Sequence, residues 1–294
     1  MTPANRRSGD AARLAPAVAR LLGARRARLV PVAGNWGLTV YRAETDQGLA
    51  AVKAGTPVLE GHLETEARML ADLARAGLKV PTVLALGENM LATEWIEHER
   101  TELRPIHERA AAEALLSLHA AARPAFGYPY PTQIGALRQP NEEGVTWTGF
   151  FRDRRLCHYA ACAARAGLID AGLLGRIERL AARLDRFLDE PDHPSLLHGD
   201  IWTGNVLIHG RRLGAFVDPA LFCGHREYEL AHVTLHGTFG HAFFAAYAAS
   251  WPVPREFTEL RRDIYLIVPL LQHAILSGPA YLHRIDRTLG RLGI

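Results

Sequence analysis

The hydrophobic period of this chain changes once, near residue 97, and that change limits what it can fold into. Ahead of it, Ala27–Val32, Thr39–Glu44 and Leu49–Lys53 are short apolar runs separated by Gly34, Gly37 and Gly48, as in an antiparallel sheet. Residues Glu60 to Arg75 then place Leu63, Ala67, Leu70 and Leu73 on one helical face, closed by Gly77 and Pro81. Thr82–Leu86 and Met90–Trp95 return to strand character. Past Ile106 the apolar period is helical, most clearly over Ala110–Ala122 and Leu173–Leu188. The expectation is an α+β chain of two lobes. A leading Ala/Arg-rich helix and a small antiparallel sheet occupy residues 1–97, and a mostly helical lobe occupies 98–294. Between helices, Pro124–Gly149 has weak periodicity but several aromatic residues, which predicts an ordered excursion rather than a linker.

Composition excludes several classes of function. Thirty-four basic residues against 31 acidic ones leave a formal charge of +3, too balanced for a phosphate-backbone partner, so no nucleic acid is expected. The basic start, Arg6, Arg7, Arg13, Arg20, Arg25, Arg26 and Arg28, reads as the solvated face of a tail and first helix. The longest apolar stretch, Ile264–Leu276, contains Pro269, Gln272 and His273 and falls short of the roughly 20 residues that span a bilayer, so no membrane partner is expected. Cys157, Cys162 and Cys223 form no CxxC pair, and Met1–Gly23 lacks a signal-type apolar core. Together these predict a cytoplasmic protein; they leave the oligomeric state open, with a monomer favoured.

The chemistry is concentrated in Leu196–Ile208, LLHGDIWTGNVLI, in which two apolar strands flank a polar turn carrying His198, Asp200 and Asn205. AFVDPA follows, with Asp218 at a strand end. Phosphoryl transfer needs such a set, because nucleotide phosphates are neutralised by Mg²⁺ on hard oxygen ligands while an acceptor hydroxyl needs a positioned base. Asp218 and Asn205 are the expected metal ligands and Asp200 the expected base, at the Asp-to-Asn spacing of the kinase catalytic loop. On their own, Asp200, Gly204 and Asn205 would equally make an ordinary turn.

Upstream residues supply the context that the turn alone lacks. Lys53 ends the strand LAAVK, and a strand lysine of this kind holds nucleotide phosphates when a helix carboxylate orients it. Glu64 and Glu66 compete for that role. Glu66 is favoured because Met69, Leu70 and Leu73 share its face at i+3, i+4 and i+7. Gly34, Asn35 and Gly37 form a turn whose backbone would approach phosphate oxygens, although a plain hairpin turn explains the same residues. Thr93 to Ile96, and with it Glu94, Trp95 and Ile96, would be the hinge that meets an adenine edge. No GxxxxGK[ST] or strand-turn-helix GxGxxG is present, which removes P-loop and dinucleotide readings.

At this point the chain resembles the fructosamine kinase (ketosamine-3-kinase) family, relatives of the aminoglycoside phosphotransferases and choline kinases on the protein-kinase-like fold. LLHGDIWTGNVLI, FVDPALFCGHREYELA, FGYP, IGALRQPN, Trp147 and FFRDRRL carry the resemblance over most of the chain. It implies ATP and Mg²⁺ as cofactors and a free or protein-bound ketosamine, phosphorylated on the sugar O3, as substrate. It also implies a deglycation role, since elimination from the product releases the amine. Trp202, Trp147, Phe151 and Arg226 are the candidate substrate contacts. Three positions depart from the family pattern. The glycine turn reads GNWG instead of a Gly-Gly-Ser type, Arg68 stands where a further glutamate is usual, and Glu229 replaces the aspartate of DLA. The competing expectations are another small-molecule phosphotransferase, of aminoglycoside or choline type, and a catalytically silent nucleotide-binding regulator. The presence of Lys53, Asp200, Asn205 and Asp218 speaks against the latter.

Overall fold

The structure, a computed structural model, describes the backbone of residues 3–294 and the side chains of residues 10–294. The side chains of Arg6 and Arg7 of the basic start lie outside the described residues. The chain forms two compact units, Met1–Thr101 with Val206–Asp218, and Glu102–Asn205 with Pro219–Ile294. The division is therefore not a single cut after residue 97. The hairpin of strands Val206–His209 and Arg212–Phe216 joins the first unit through backbone bonds from Glu99 N–H to Ile208 O and from Phe216 N–H to Lys79 O, both 2.8 Å.

In the first unit, helix α1 (Pro3–Leu21) precedes strands β1 (Ala27–Asn35), β2 (Leu38–Thr45) and β3 (Gly48–Gly55); helix α2 (His62–Arg75) leads to β4 (Val83–Gly87) and β5 (Met90–Glu94). The five strands form one sheet in the order β1-β2-β3-β5-β4, all neighbours antiparallel. Strand alternation assigns the two faces. Tyr41, Ala43, Val52 and Ala54 pack with Ala11 and Val18 of α1, while Leu38 and Leu91 pack with Leu63 and Ala67 of α2. Lys53, paired with Leu91 in the ladder, therefore belongs to the α2 face. Burying a Val52- or Leu63-sized side chain contributes about 1.5–3 kcal/mol, enough to fix this register, because a one-residue slip would exchange the faces. Arg13, Arg20, Arg25, Arg26 and Arg28 are exposed, as expected of a solvated basic face.

The second unit is mostly helical. It contains α3 (Pro105–Ala120), α4 (Trp147–Phe150), α5 (Cys157–Arg165), α6 (Ala171–Ala181), α7 (Arg226–Leu235), α8 (His241–Ser250), α9 (Arg262–Ser277) and α10 (Leu282–Arg291). The helix expected over Leu173–Leu188 stops at Ala181. Arg183 leaves helical geometry (φ −129°, ψ 15°), and a 3₁₀ turn over Leu184–Arg186 follows. Leu184 and Leu188 are still buried, so the apolar spacing survives a break that it could not reveal. The excursion from Pro124 to Gly149 is ordered by the short ladder Thr132–Ile134 with Leu137–Gln139, and by Gln139 Nε2 donating to Ala220 O at 3.0 Å. The apolar run of α9 is core: Ile264, Tyr265, Ile267, Val268 and Leu271 are fully buried. Among the described residues no helix is long and apolar enough to cross a membrane.

Candidate active site

Two groups of polar side chains stand out, one in each unit. In the first, strand β3 turns Lys53 toward α2. Its Nζ donates to Glu66 Oε1 (2.7 Å), to Glu66 Oε2 (2.8 Å) and to Asp218 Oδ1 (2.8 Å). Glu66, not Glu64, is thus the carboxylate at the lysine, and it is buried at 5% exposure. Burial alone would pull the Lys53 ammonium down, but the Asp218 and Glu66 carboxylates outweigh it and hold the group well above its ordinary value. Burial raises the Glu66 carboxyl against the pull of Lys53. Three carboxylate oxygens within 2.8 Å of one ammonium make the charged pair the state that the geometry supports. Burial and then the Lys53 charge lower His62 to about 4, so His62 is neutral beside this pair. Asp218 has φ 52°, a left-handed backbone conformation that only a few per cent of non-glycine residues adopt, and its side chain is half exposed.

The glycine turn is a two-residue hairpin centred on Trp36 and Gly37, since Asn35 pairs with Leu38 and both central residues have positive φ. Gly34 and Asn35 end β1, and the Asn35 Oδ1 accepts from Trp36 N–H. A Cβ on Gly37 would lie 2.1 Å from Thr56 O, so packing alone demands glycine there. At the expected hinge, the Glu94 N–H donates to Thr82 O (2.8 Å), Trp95 Nε1 donates to Glu97, and Ile96 O lies 2.8 Å from His98 Nδ1.

In the second unit, strand Ser195–Leu197 pairs with Phe222–Gly224 and delivers the chain into the loop at His198. Gly199 turns the backbone at φ 86°, and a Cβ there would lie 2.1 Å from Ala220 O; only glycine permits this approach. The loop is held from α7. Glu229 Oε1 accepts the Gly199 N–H (2.6 Å), and Oε2 accepts the His198 N–H (3.3 Å). His119 lies 2.9 Å from Glu229 Oε2 and 2.8 Å from the Tyr247 hydroxyl. Burial raises the Glu229 carboxyl, yet these partners, His119 foremost, bring it below its ordinary value. The Glu229 side chain, one methylene longer than an aspartate, thus reaches the loop. His198 is fully buried and its Nδ1 accepts the Asp200 N–H (3.3 Å), a structural placement.

Asp200 leaves the loop toward Asn205, whose Nδ2 donates both to Asp200 O (2.9 Å) and to Asp200 Oδ2 (3.1 Å). A 3₁₀ turn over Thr203–Asn205, closed by Asn205 N–H to Trp202 O at 2.8 Å, sets that approach. The Asn205 amide oxygen and the Asp218 carboxylate, one in each unit, are each of the hard-oxygen type that Mg²⁺ takes. Among the described residues no group of three or more His, Cys, Asp or Glu is arranged to hold a metal.

The proposed substrate contacts separate. Trp202 is 42% exposed beside the loop. Trp147 and Phe151 are fully buried in a cluster with Phe126, Phe150, Tyr228 and Tyr265, and Trp147 Nε1 donates to the Tyr265 hydroxyl at 3.0 Å. They are core residues, since a ring that fills an interior has no face left for a ligand. Arg226 pairs with Asp192 (2.7 Å) and lies over the Trp251 ring (3.6 Å), a structural ion pair and cation–π contact.

One residue of this region makes stability depend on pH. His225 caps α7, its Nδ1 accepting the Glu227 N–H at 3.0 Å, which requires a neutral ring. Burial, then Arg226 and Arg261, lower it to about 3. The unfolded chain therefore binds this proton between about pH 6.5 and 3 while the folded chain does not. The contribution is complete above about pH 6.5 and falls by about 1.4 kcal/mol per pH unit as the solution is acidified through that window. His225→Asn keeps a capping oxygen and removes the titration. Its Tm is expected to fall less steeply with acid than that of the wild type, and superimposable Tm–pH curves would contradict this.

Two members of the second cluster, His119 and His232, escaped the sequence argument. His232 lies three residues after Glu229, hence on the same face of α7, and its Nε2 is 3.2 Å from Asp200 Oδ1. That i, i+3 spacing was the available signal; His119 has none, being brought in by tertiary packing.

The family model for fructosamine kinase matches residues 32–293. A protein of Enterococcus faecium named "probable ketoamine kinase" is 32% identical over 269 residues, covering 89% of this chain and 94% of its own. Another of that name, from Thermus thermophilus, is 31% identical over 82% of this chain and 87% of its own. A crystal structure from Thermobifida fusca assigned as a fructosamine-3-kinase superposes with a TM-score of 0.84 at 30% identity, over 95% of this chain and 98% of the other. A thermostable aminoglycoside phosphotransferase shares the fold with a TM-score of 0.68 at 18% identity, over 94% of this chain and 98% of the other.

Proposed function

We propose that this chain, which belongs to the fructosamine kinase family, phosphorylates the sugar O3 of ketosamines, the adducts that glucose or ribose forms on amines. Family membership makes it an ATP-dependent phosphotransferase of the protein-kinase-like fold. The observation that carries the phosphoryl-transfer chemistry is the Asp200–Asn205 loop, a carboxylate fixed by a neighbouring amide and seated on a buried Glu229–His119 support, while family membership supports the ketosamine acceptor.

In this reaction Asp200 orients the acceptor hydroxyl and takes its proton as the oxygen attacks the γ-phosphorus. The new O–P bond forms as the bond to the β–γ bridging oxygen breaks, and ADP leaves. Lys53, aimed by Glu66, holds the α and β phosphates of ATP. Asp218 and Asn205 would hold Mg²⁺, which when bound neutralises phosphate charge. Gly34, Asn35 and Gly37 would line the phosphates, and the backbone of Glu94, Trp95 and Ile96 would meet the adenine. Trp202, exposed beside Asp200 in sequence, is the remaining wall for the sugar.

Phosphate at C3, next to the C2 carbonyl, is readily expelled, after which the amine is released; the kinase would thereby act in deglycation. Three cysteines without a disulfide suit the reducing cytoplasm where such adducts would be repaired. The test is ³¹P NMR of the product made from ATP and a ribulosamine adduct of lysine. A new phosphomonoester coupled to the C3 proton is expected; phosphate on another carbon would overturn the O3 assignment.

A further inference from the structure

His232 is buried, 2% exposed, and its Nε2 lies 3.2 Å from Asp200 Oδ1, while its Nδ1 has no hydrogen-bond partner among the described residues. An imidazole protonated on both nitrogens would bury an unsatisfied Nδ1–H donor. A ring carrying its proton on Nε2 leaves only a lone pair unmatched, the cheaper arrangement, and points the N–H at the carboxylate. Asn205 Nδ2 already donates to the other oxygen, Oδ2, at 3.1 Å. One donor lets a carboxylate turn about its Cβ–Cγ bond, whereas a donor on each oxygen fixes its plane.

We propose that His232 is a positioning residue for the reaction, holding Asp200 through an Nε2–H donated to Oδ1 so that its remaining lone pairs face the acceptor hydroxyl. The inference rests on Asp200 being the base of the proposed reaction. Helix α7 makes the placement possible. Glu229 holds the loop backbone at Gly199 and His198, and His232, one turn further on the same face, holds the side chain that the loop presents. A single helix thus fixes both the loop and its carboxylate, and Asn205 completes the frame from the opposite oxygen. Catalytic geometry is sensitive at this scale, since a displacement of about 1 Å can cost about 100-fold in rate.

The kinetic test compares wild type, His232→Ala and His232→Gln, the last placing an amide N–H near the position of Nε2. The alanine variant is expected to lose about 10- to 100-fold in kcat with KM for ATP unchanged. Glutamine is expected to recover most of that loss at the same Tm. A kcat for His232→Ala within twofold of wild type, or a loss that glutamine does not rescue, overturns the proposal. The second test does not depend on the substrate. In ¹⁵N NMR of the labelled full chain, His232 is expected to show protonated Nε2 and unprotonated Nδ1, with both signals moving in Asp200→Ala. Signals indifferent to Asp200→Ala overturn the pairing. If wild type ignores ketosamines, the substrate assignment fails while the NMR result still decides the role of His232.

Discussion

Asp200→Asn is expected to lower kcat by about 10²- to 10⁴-fold, the range for removing a general base, while ATP affinity stays at the wild-type value and Tm falls by no more than a few degrees. The substitution is nearly isosteric. An amide oxygen can still accept from Asn205 Nδ2, now 3.1 Å from Oδ2, while the amide nitrogen then faces His232 Nε2, which must shed its proton to accept from it. The amide cannot take a proton from an alcohol. The Glu229 contacts to Gly199 and His198 do not involve this side chain, so the loop backbone keeps its support. Steady-state kinetics with calorimetric titration of ATP separates the two quantities. Retained turnover would remove Asp200 from the chemistry, and lost nucleotide binding would assign it to the phosphate site instead.

Lys53→Ala is expected to damage both stability and activity. The ammonium neutralises Glu66, which is buried, and removing one partner of a buried pair costs about 3–5 kcal/mol because the other charge stays behind. The one N–H that Glu66 does not take would also be lost from phosphate, about 1.5–3 kcal/mol, which is about 10- to 10²-fold in kcat/KM for ATP. A double substitution, Lys53→Met with Glu66→Gln, separates the effects. It should recover most of the stability by removing both charges, and none of the ATP-dependent activity. Denaturant unfolding of the four members of that cycle, with their ATP kinetics, measures the coupling. Unchanged KM for ATP in Lys53→Ala would contradict the phosphate role.

The sheet unit was legible because its signals are local. The kinase pattern pairs a strand lysine with a helix carboxylate, and the i+3, i+4 and i+7 neighbours of Glu66 turn it inward, so the Lys53–Glu66 pair was expected. The Asp-to-Asn spacing of one motif put Asp200 and Asn205 in one loop, whereas neither their direct bonds nor the Gly199 approach to Ala220 was expected from it. What was not legible depends on contacts distant in the chain. Trp147 and Phe151 looked like candidate sugar contacts because an aromatic residue in an irregular segment has no periodicity to declare it core; only the packing with Tyr228 and Tyr265 does so. His119 reaches Glu229 across 110 residues, and no spacing announces it. The hairpin Val206–His209 with Arg212–Phe216 joins the first unit although the sequence boundary was set before it, because backbone bonds at Lys79 and Glu99 carry no side-chain signal.

The central claim, that a ketosamine is the acceptor, is met most directly by a coupled ATP-consumption assay with Mg²⁺. Ribulosamine and fructosamine adducts of lysine are compared with kanamycin and choline at equal concentration. Turnover that depends on the ketosamines and vanishes in Asp200→Asn is the predicted result. Turnover with kanamycin or choline alone, or none with any acceptor, would contradict it.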